Sequence, residues 1–189
     1  MKEHKCIGIN DIDILEQVLE GNKNQYRFIV DKYQNQIFSF LMRATGSRPD
    51  AEELTQETFM KAYTALRRFD TKNKFFPWLY TIALNTFRDW KRKDLNQSKA
   101  SLPFPENMFA DENAVNQELA ATQKEDMALV QKGLSMLSLE HREAIILRFR
   151  NDLSLQEISK VFNISMSASK MRIHRGLKQL KQVICNENR

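Results

Sequence analysis

From Ile12 to Trp90, and again from Asp126 almost to the end of the chain, apolar side chains recur every three or four residues. That spacing lines them up on one side of a helix, whose turn takes about 3.6 residues. Little interrupts the pattern. Five Gly and four Pro in 189 residues are too few for the frequent turns of a strand-rich fold, and Pro49, Pro77, Pro103 and Pro105 fall where the periodicity breaks. The pattern predicts an all-α protein with helices over about 12–20, 24–45, 50–68 and 77–93, then 126–137, 139–149, 154–162 and 166–184. Gly46 suits the end of the second helix, and Pro49-Asp50 the start of the third, where an acid complements the helix dipole.

Between the two periodic stretches the residue types change. From Asp94 to about Gln123 the periodicity fades and Asn, Gln, Ser and Pro accumulate, with some helix expected around 113–125. Seven acids against Lys99 and Lys124 give residues 94–126 a charge of −5, while residues 1–93 carry +4 and residues 127–189 carry +6. The reading is two small helical domains, 12–93 and 126–185, joined by an acidic flexible linker over 94–125. Basic blocks attract polyanions, although a soluble surface can also be basic. No apolar run approaches the roughly 18 residues of a membrane span, and the first ten residues lack the apolar core of a signal peptide. Cys6 and Cys185, far apart in sequence and without metal-ligand neighbours at useful spacing, read as thiols of a reducing compartment. A cytoplasmic protein without stable membrane insertion is expected.

In the second domain, Ser154-Leu-Gln-Glu157 is a capping box, in which Ser and Glu each satisfy the other's backbone N–H. It opens a short helix that runs into the turn Asn163-Ile164-Ser165 and then a long helix. Two helices joined so tightly form a helix-turn-helix, whose second helix enters the major groove. Stepping along that second helix at about 100° per residue puts Met166, Ser169, Ile173, Leu177, Leu180 and Ile184 on one stripe. Ser167, Ala168, Met171, His174, Arg175 and Lys178 face the other way, with Lys170 and Arg172 on the flanks. Between Met166 and Gln182 there are five Lys or Arg and no acid. A solvated helix usually mixes both signs, so the single-sign face favours DNA over a surface helix that touches nothing.

In the first domain, Asp50 to Phe59 places Glu53, Gln56 and Glu57 on one helix face. A metal site built there would need further ligands such as His, and His4 is remote. An acidic face that binds a partner fits better, and a plain solvated face remains the simpler alternative. Farther on, Phe75, Phe76, Trp78, Tyr80, Phe87 and Trp90 lie among Lys72, Lys74, Arg88, Lys91, Arg92 and Lys93. Aromatic faces that stack on unpaired bases, beside cations that hold phosphates, suit single-strand binding. Some of these aromatics belong to a core, with Leu79, Ile82, Ala83 and one side of Trp78. Four basic residues among the six at 88–93 are hard to place in one.

These segments together, in this order and with this gap, resemble the extracytoplasmic-function sigma factors of the sigma-70 superfamily. The stretch from Leu137 to Leu180 is similar to sigma domain four, and DAEELTQETF with FDTKNKFFPWLYTIALN to sigma domain two. The resemblance implies a factor that binds core RNA polymerase and directs promoter-specific transcription initiation, of a stress or environmental-response regulon. It implies that Glu53, Gln56 and Glu57 meet the clamp helices of the largest polymerase subunit, and that domain four meets the flap. The loop Phe69–Phe76, with Asp70, Lys72, Phe75 and Phe76, would capture flipped bases of the minus-ten element together with Trp78 and Asn85, while Arg88 and Arg92 hold the backbone. Lys170, Met171, Arg172, His174 and Arg175, with Ser167 beside them, would read the minus-thirty-five element. The linker would follow the path of the new transcript, and an anti-sigma factor would be a further partner. No catalytic group, metal or cofactor is implied.

Three positions depart from the family pattern. The usual Gly of the helix-turn-helix turn is Asn163, which tolerates positive φ. The usual buried Val is Ser169, whose hydroxyl is expected to bond back to the carbonyl of Ser165, and the usual Ser or Thr at the readout position is Met171. Two other functions meet obstacles. A DNA-binding regulator acting without polymerase needs neither the acidic helix nor the aromatic-basic segment. A nucleic-acid enzyme needs a nucleophile, a metal cluster or a phosphate-cradling loop, and none is evident.

Overall fold

The computed structural model describes residues 10–97 and 121–187. These fall into two compact units that part between Lys99 and Ala100. The first holds α1 (Asp11–Leu19), α2 (Tyr26–Thr45), α3 (Arg48–Ala65) and α4 (Phe75–Gln97), with short 3₁₀ turns at Lys23–Gln25 and Leu66–Arg68. The second holds α5 (Ala121–Ser135), α6 (Leu139–Phe149), α7 (Leu155–Phe162) and α8 (Met166–Glu187). Among the described residues there is no strand. Residues 98–120 of the expected linker, Cys6 and His4 lie outside the described residues. Helix nevertheless occupies both ends of the predicted linker, 94–97 in α4 and 121–125 in α5.

In the first unit α3 packs against α2 and α4. Leu15, Ile29, Ile37, Phe40, Leu41, Leu54, Leu79, Tyr80 and Ala83 are buried there, and the Phe40 and Tyr80 rings meet at 4.7 Å. Asp11 fastens α1 to α2: its carboxylate pairs with Lys32 at 2.5 Å and accepts the Tyr33 hydroxyl proton. Burial, reinforced by that bond, pushes the Tyr33 phenol well above its ordinary pKa. Gly46 ends α2 in the left-handed region at φ 69°, its N–H donating to the Met42 carbonyl. Ser47 then caps α3, accepting from the Asp50 N–H, so the helix begins two residues before the predicted Asp50 with Pro49 in its first turn.

The start of α4 corrects the sequence reading more deeply. Pro77 is not the first helical residue but the third, because the first turn needs no intrahelical donor and so admits Pro. Phe75 and Phe76 are therefore helical and buried. Phe75 meets Phe69 edge-on at 5.5 Å and Trp78 at 5.4 Å, while Phe76 stacks on Tyr33 at 5.4 Å.

In the second unit α8 packs on α5, α6 and α7. Arg142 is buried, and its guanidinium donates to the carbonyls of Ser135 (2.6 Å), which ends α5, and Leu137 (3.0 Å), in the turn after it. The Ser154–Glu157 capping box is present, with Ser154 Oγ accepting from Glu157 N at 3.2 Å and the Glu157 carboxylate from Ser154 N at 2.7 Å. Asn163 closes α7 in the left-handed region at φ 55°, the conformation expected of it. Ser165 Oγ accepts from Ala168 N at 3.1 Å and so starts α8.

The buried side of α8 is rotated from the predicted stripe by roughly 40°, less than half of one residue's step. Ser169, Ile173 and Gly176 are buried, Leu180 and Ile184 half-buried, and Met166 and Leu177 exposed. Gly176 suits this orientation. A Cβ there would stand 2.9 Å from Ile145 Cδ1 and 3.2 Å from His141 Cβ, so a larger residue would oblige its neighbours on α6 to shift. Ser169 corrects a second expectation. Its amide bonds to the Ser165 carbonyl at 2.9 Å, but its buried hydroxyl has no hydrogen-bond partner.

Candidate nucleic-acid interface

Every residue on the outward side of α8 is solvent-exposed: Ser167, Ala168, Lys170, Met171, His174, Arg175 and Lys178. Arg172 is the exception among the predicted readers. Its guanidinium pairs with Glu140 of α6 at 2.9 Å and lies over the Phe162 ring of α7 at 4.9 Å, leaving its side chain 19% exposed. The rotation of α8 brings this position toward α6 and α7, so Arg172 ties the helix-turn-helix together and does not stand on the exposed face.

On α4, Trp78, Asn85, Arg88 and Arg92 share one side, at intervals of seven, three and four residues. Their Cα atoms span about 21 Å at the helical rise. Trp78 is half-buried, held by Phe69 at 5.1 Å, and Asn85, Arg88 and Arg92 are exposed. Arg88 donates to the Asn85 side chain at 3.3 Å and Arg92 pairs with Asp89 at 2.5 Å. A shallow depression lies among Asn85, Arg88, Asp89, Lys91 and Arg92.

The preceding loop is shorter than predicted. Residues 70–74 separate Phe69 from α4, and Asp70 shapes them: its carboxylate accepts from Lys72 N at 3.0 Å and from the Asn73 side chain at 3.1 Å. Lys72 is exposed. Phe75 and Phe76, expected to offer their rings to bases, are core residues and offer none.

On α3, Glu53 and Gln56 are exposed, and Glu57 pairs with Lys61 at 2.8 Å. Lys61 also donates to Thr86 of α4 at 3.3 Å. The three predicted residues line one depression with Met60, which is 70% exposed. Met60 escaped the sequence reading because an apolar residue at helical spacing looks like core. Among the described residues, no group of three or more His, Cys, Asp or Glu is placed to hold a metal ion, and no helix is long and apolar enough to cross a membrane.

Residues 29–96 match the family model of sigma-70 region 2, and residues 127–180 that of sigma-70 region 4. The chain is 33% identical over 176 residues to the ECF RNA polymerase sigma factor SigW of Bacillus subtilis (strain 168), covering 89% of this chain and 93% of that one. It is also 33% identical over 153 residues to the ECF RNA polymerase sigma factor SigM of the same organism, covering 81% and 91%. The chain belongs to the ECF sigma factors. It is a promoter-directing transcription initiation factor, and a stress or environmental-response regulon fits its class. The sigma factor RpoE of Bartonella quintana, solved with the anti-sigma factor NepR, shares its fold at 22% identity, a TM-score of 0.66 and coverage of 84% of this chain and 96% of that one. In this sigma factor region 2 thus holds the α3 and α4 faces, and region 4 the helix-turn-helix.

Proposed function

We propose that this sigma factor divides its work among three surfaces. The α3 face of Glu53, Gln56 and Glu57 docks on the clamp helices of core RNA polymerase, with Met60 as an apolar contact in the same depression. Trp78, Asn85, Arg88 and Arg92 on α4, with Lys72 in the loop that Asp70 shapes, hold the opened minus-ten strand. Ser167, Lys170, Met171, His174 and Arg175 on α8 meet the minus-thirty-five duplex, and region 4 meets the polymerase flap. The functional domains are 12–93 and 126–185, with 94–125 as the tether. The factor works in the cytoplasm, contributes no catalytic group, and takes an anti-sigma factor as a further partner, the class of partner bound to RpoE in the B. quintana structure.

The observation that carries this reading is the outward face of α8, cationic without an acid and delivered by a tight turn. Reconstitution with core polymerase, followed by sequencing of transcript starts, tests it directly. Wild-type protein should give discrete starts behind a shared two-part element, and a gel shift should need core polymerase. Glu53→Lys with Glu57→Lys should abolish co-purification with core at unchanged helical content. Retained binding would sink the α3 assignment.

A further inference from the structure

Two neighbouring positions of α8 break the usual sorting of side chains, in opposite senses. Ser169 is wholly buried with an unpartnered hydroxyl, while Met171 is 46% exposed. Where local rules fail, function or packing is the usual cause. Packing accounts for Ser169, a small residue on the same buried side as Gly176, where α8 lies close against α6. It does not account for Met171. Met166 and Leu177, the other large apolar residues exposed on α8 among the described residues, stand at the margin of the buried stripe, whereas Met171 sits in the middle of the cationic face. Ser167 lies one turn before it, Lys170 beside it, and His174 and Arg175 one turn after, all exposed.

That placement fixes what the thioether can recognise. With the surrounding cations on phosphates, the helix would carry Met171 toward the floor of the groove. Its side chain donates no hydrogen bond and accepts only weakly, but it is unbranched, polarizable and adaptable in shape. Among the groups that base pairs display in the major groove, the 5-methyl of thymine is the apolar one. We propose that Met171 is a specificity-determining residue that recognises the 5-methyl group of one thymine in the duplex element bound by α8. The proposal rests on the reading of α8 as the duplex-reading helix.

The test uses the full chain with core polymerase and a promoter selected from a randomised library. Each thymine of the minus-thirty-five element is replaced singly by deoxyuridine, which lacks only the methyl. Losing one methyl from an apolar contact weakens binding about fourfold. Wild-type protein should show that loss at a single thymine and little at the others. Met171→Ala should flatten the profile, and Met171→Leu should restore it. A flat wild-type profile, a preferred element without thymine, or the same single loss in Met171→Ala would each overturn the proposal. Lys170→Ala and Arg175→Ala separate the two levels. If they weaken binding while the uracil profile is flat, Met171 is no reader but α8 still is. If they leave binding unchanged, both ideas fall.

Discussion

The α4 and α8 faces are both basic, yet they differ in what stands between the cations. On α4 an indole opens the row, and Arg88 and Arg92 have partners one turn back on their own helix, Asn85 and Asp89. On α8 no acid lies between Met166 and Gln182, and Arg172, the one cation of this stretch paired with an acid among the described residues, finds it on another helix and is drawn off the exposed face. A platform with a π face and locally steadied cations suits bases that have left the duplex and can stack. A stiff helix with an uncompensated field suits a groove whose phosphates lie at fixed positions on either side. Charge alone makes the two helices look alike, and the groups between the charges separate their tasks.

The sharpest way to break this contrast is to change the state of the template. Asn85→Ala, Arg88→Ala and Arg92→Ala together should cut transcription from a duplex promoter more than tenfold, and spare most of it on a template already melted around the minus-ten element. Lys170→Ala with Arg175→Ala should depress both templates alike, because the minus-thirty-five element is duplex in each. If the α4 triple variant fails equally on both, its defect lies in folding or polymerase binding and the division of labour is wrong.

A second test asks whether the two units are energetically separate. Arg142→Ala removes both hydrogen bonds to the carbonyls of Ser135 and Leu137 and leaves the Leu137 acceptor buried and the Ser135 acceptor part-buried without a partner, which should cost region 4 about 2–3 kcal/mol. Both tryptophans, Trp78 and Trp90, belong to the first unit, so their emission reports that unit alone while circular dichroism reports both. Urea unfolding of the variant should show an early helical transition by dichroism and an unmoved midpoint by emission. A common shift of both signals would mean that the units unfold as one.

Most of the fold is legible in the sequence, and the features that are not share a cause. The boundaries of α6 were readable from periodicity, and Ser154 and Asn163 from their capping chemistry, because those signals are local. The start of α4 is hidden because Pro77 looks like a boundary, whereas a first turn accepts it, and a helix begun at Pro77 puts Phe75 and Phe76 in a base-binding loop. The phase of α8 was missed because Gly176 carries no hydropathy signal. Its effect comes through Ile145 and His141, thirty-odd residues earlier in the chain. The inward turn of Arg172 is illegible for the same reason: its partners Glu140 and Phe162 are tertiary neighbours.

The inward placement of Arg172 can be tested through salt. Each Lys or Arg that neutralises a phosphate adds about one to the slope of log K against log salt. Lys170→Ala should therefore flatten the slope for promoter binding by the polymerase-bound factor by about one. Arg172→Ala should leave it nearly unchanged, since Glu140 already compensates that charge, while weakening binding through a looser α8. Equal slope changes in the two variants would return Arg172 to the DNA-facing set.

The smallest effect concerns Ser169, and its sign is the informative part. The hydroxyl is fully buried and unpartnered, so the folded state has lost its hydration without a replacement bond. Ala keeps the backbone bond to Ser165, removes the unsatisfied oxygen, and has the higher helix propensity. Ser169→Ala should therefore stabilise region 4 by about 1 kcal/mol, seen as a later helical transition in urea with the tryptophan signal unmoved. The uracil profile of the variant should match wild type, because position 169 faces away from Met171 on α8. Destabilisation would show that the hydroxyl does find a partner in solution, such as the carbonyl of Ser165. A changed base preference would show that the buried and outward sides of α8 are coupled, and the contrast between a passive scaffold and a reading face would then have to be redrawn within this one helix.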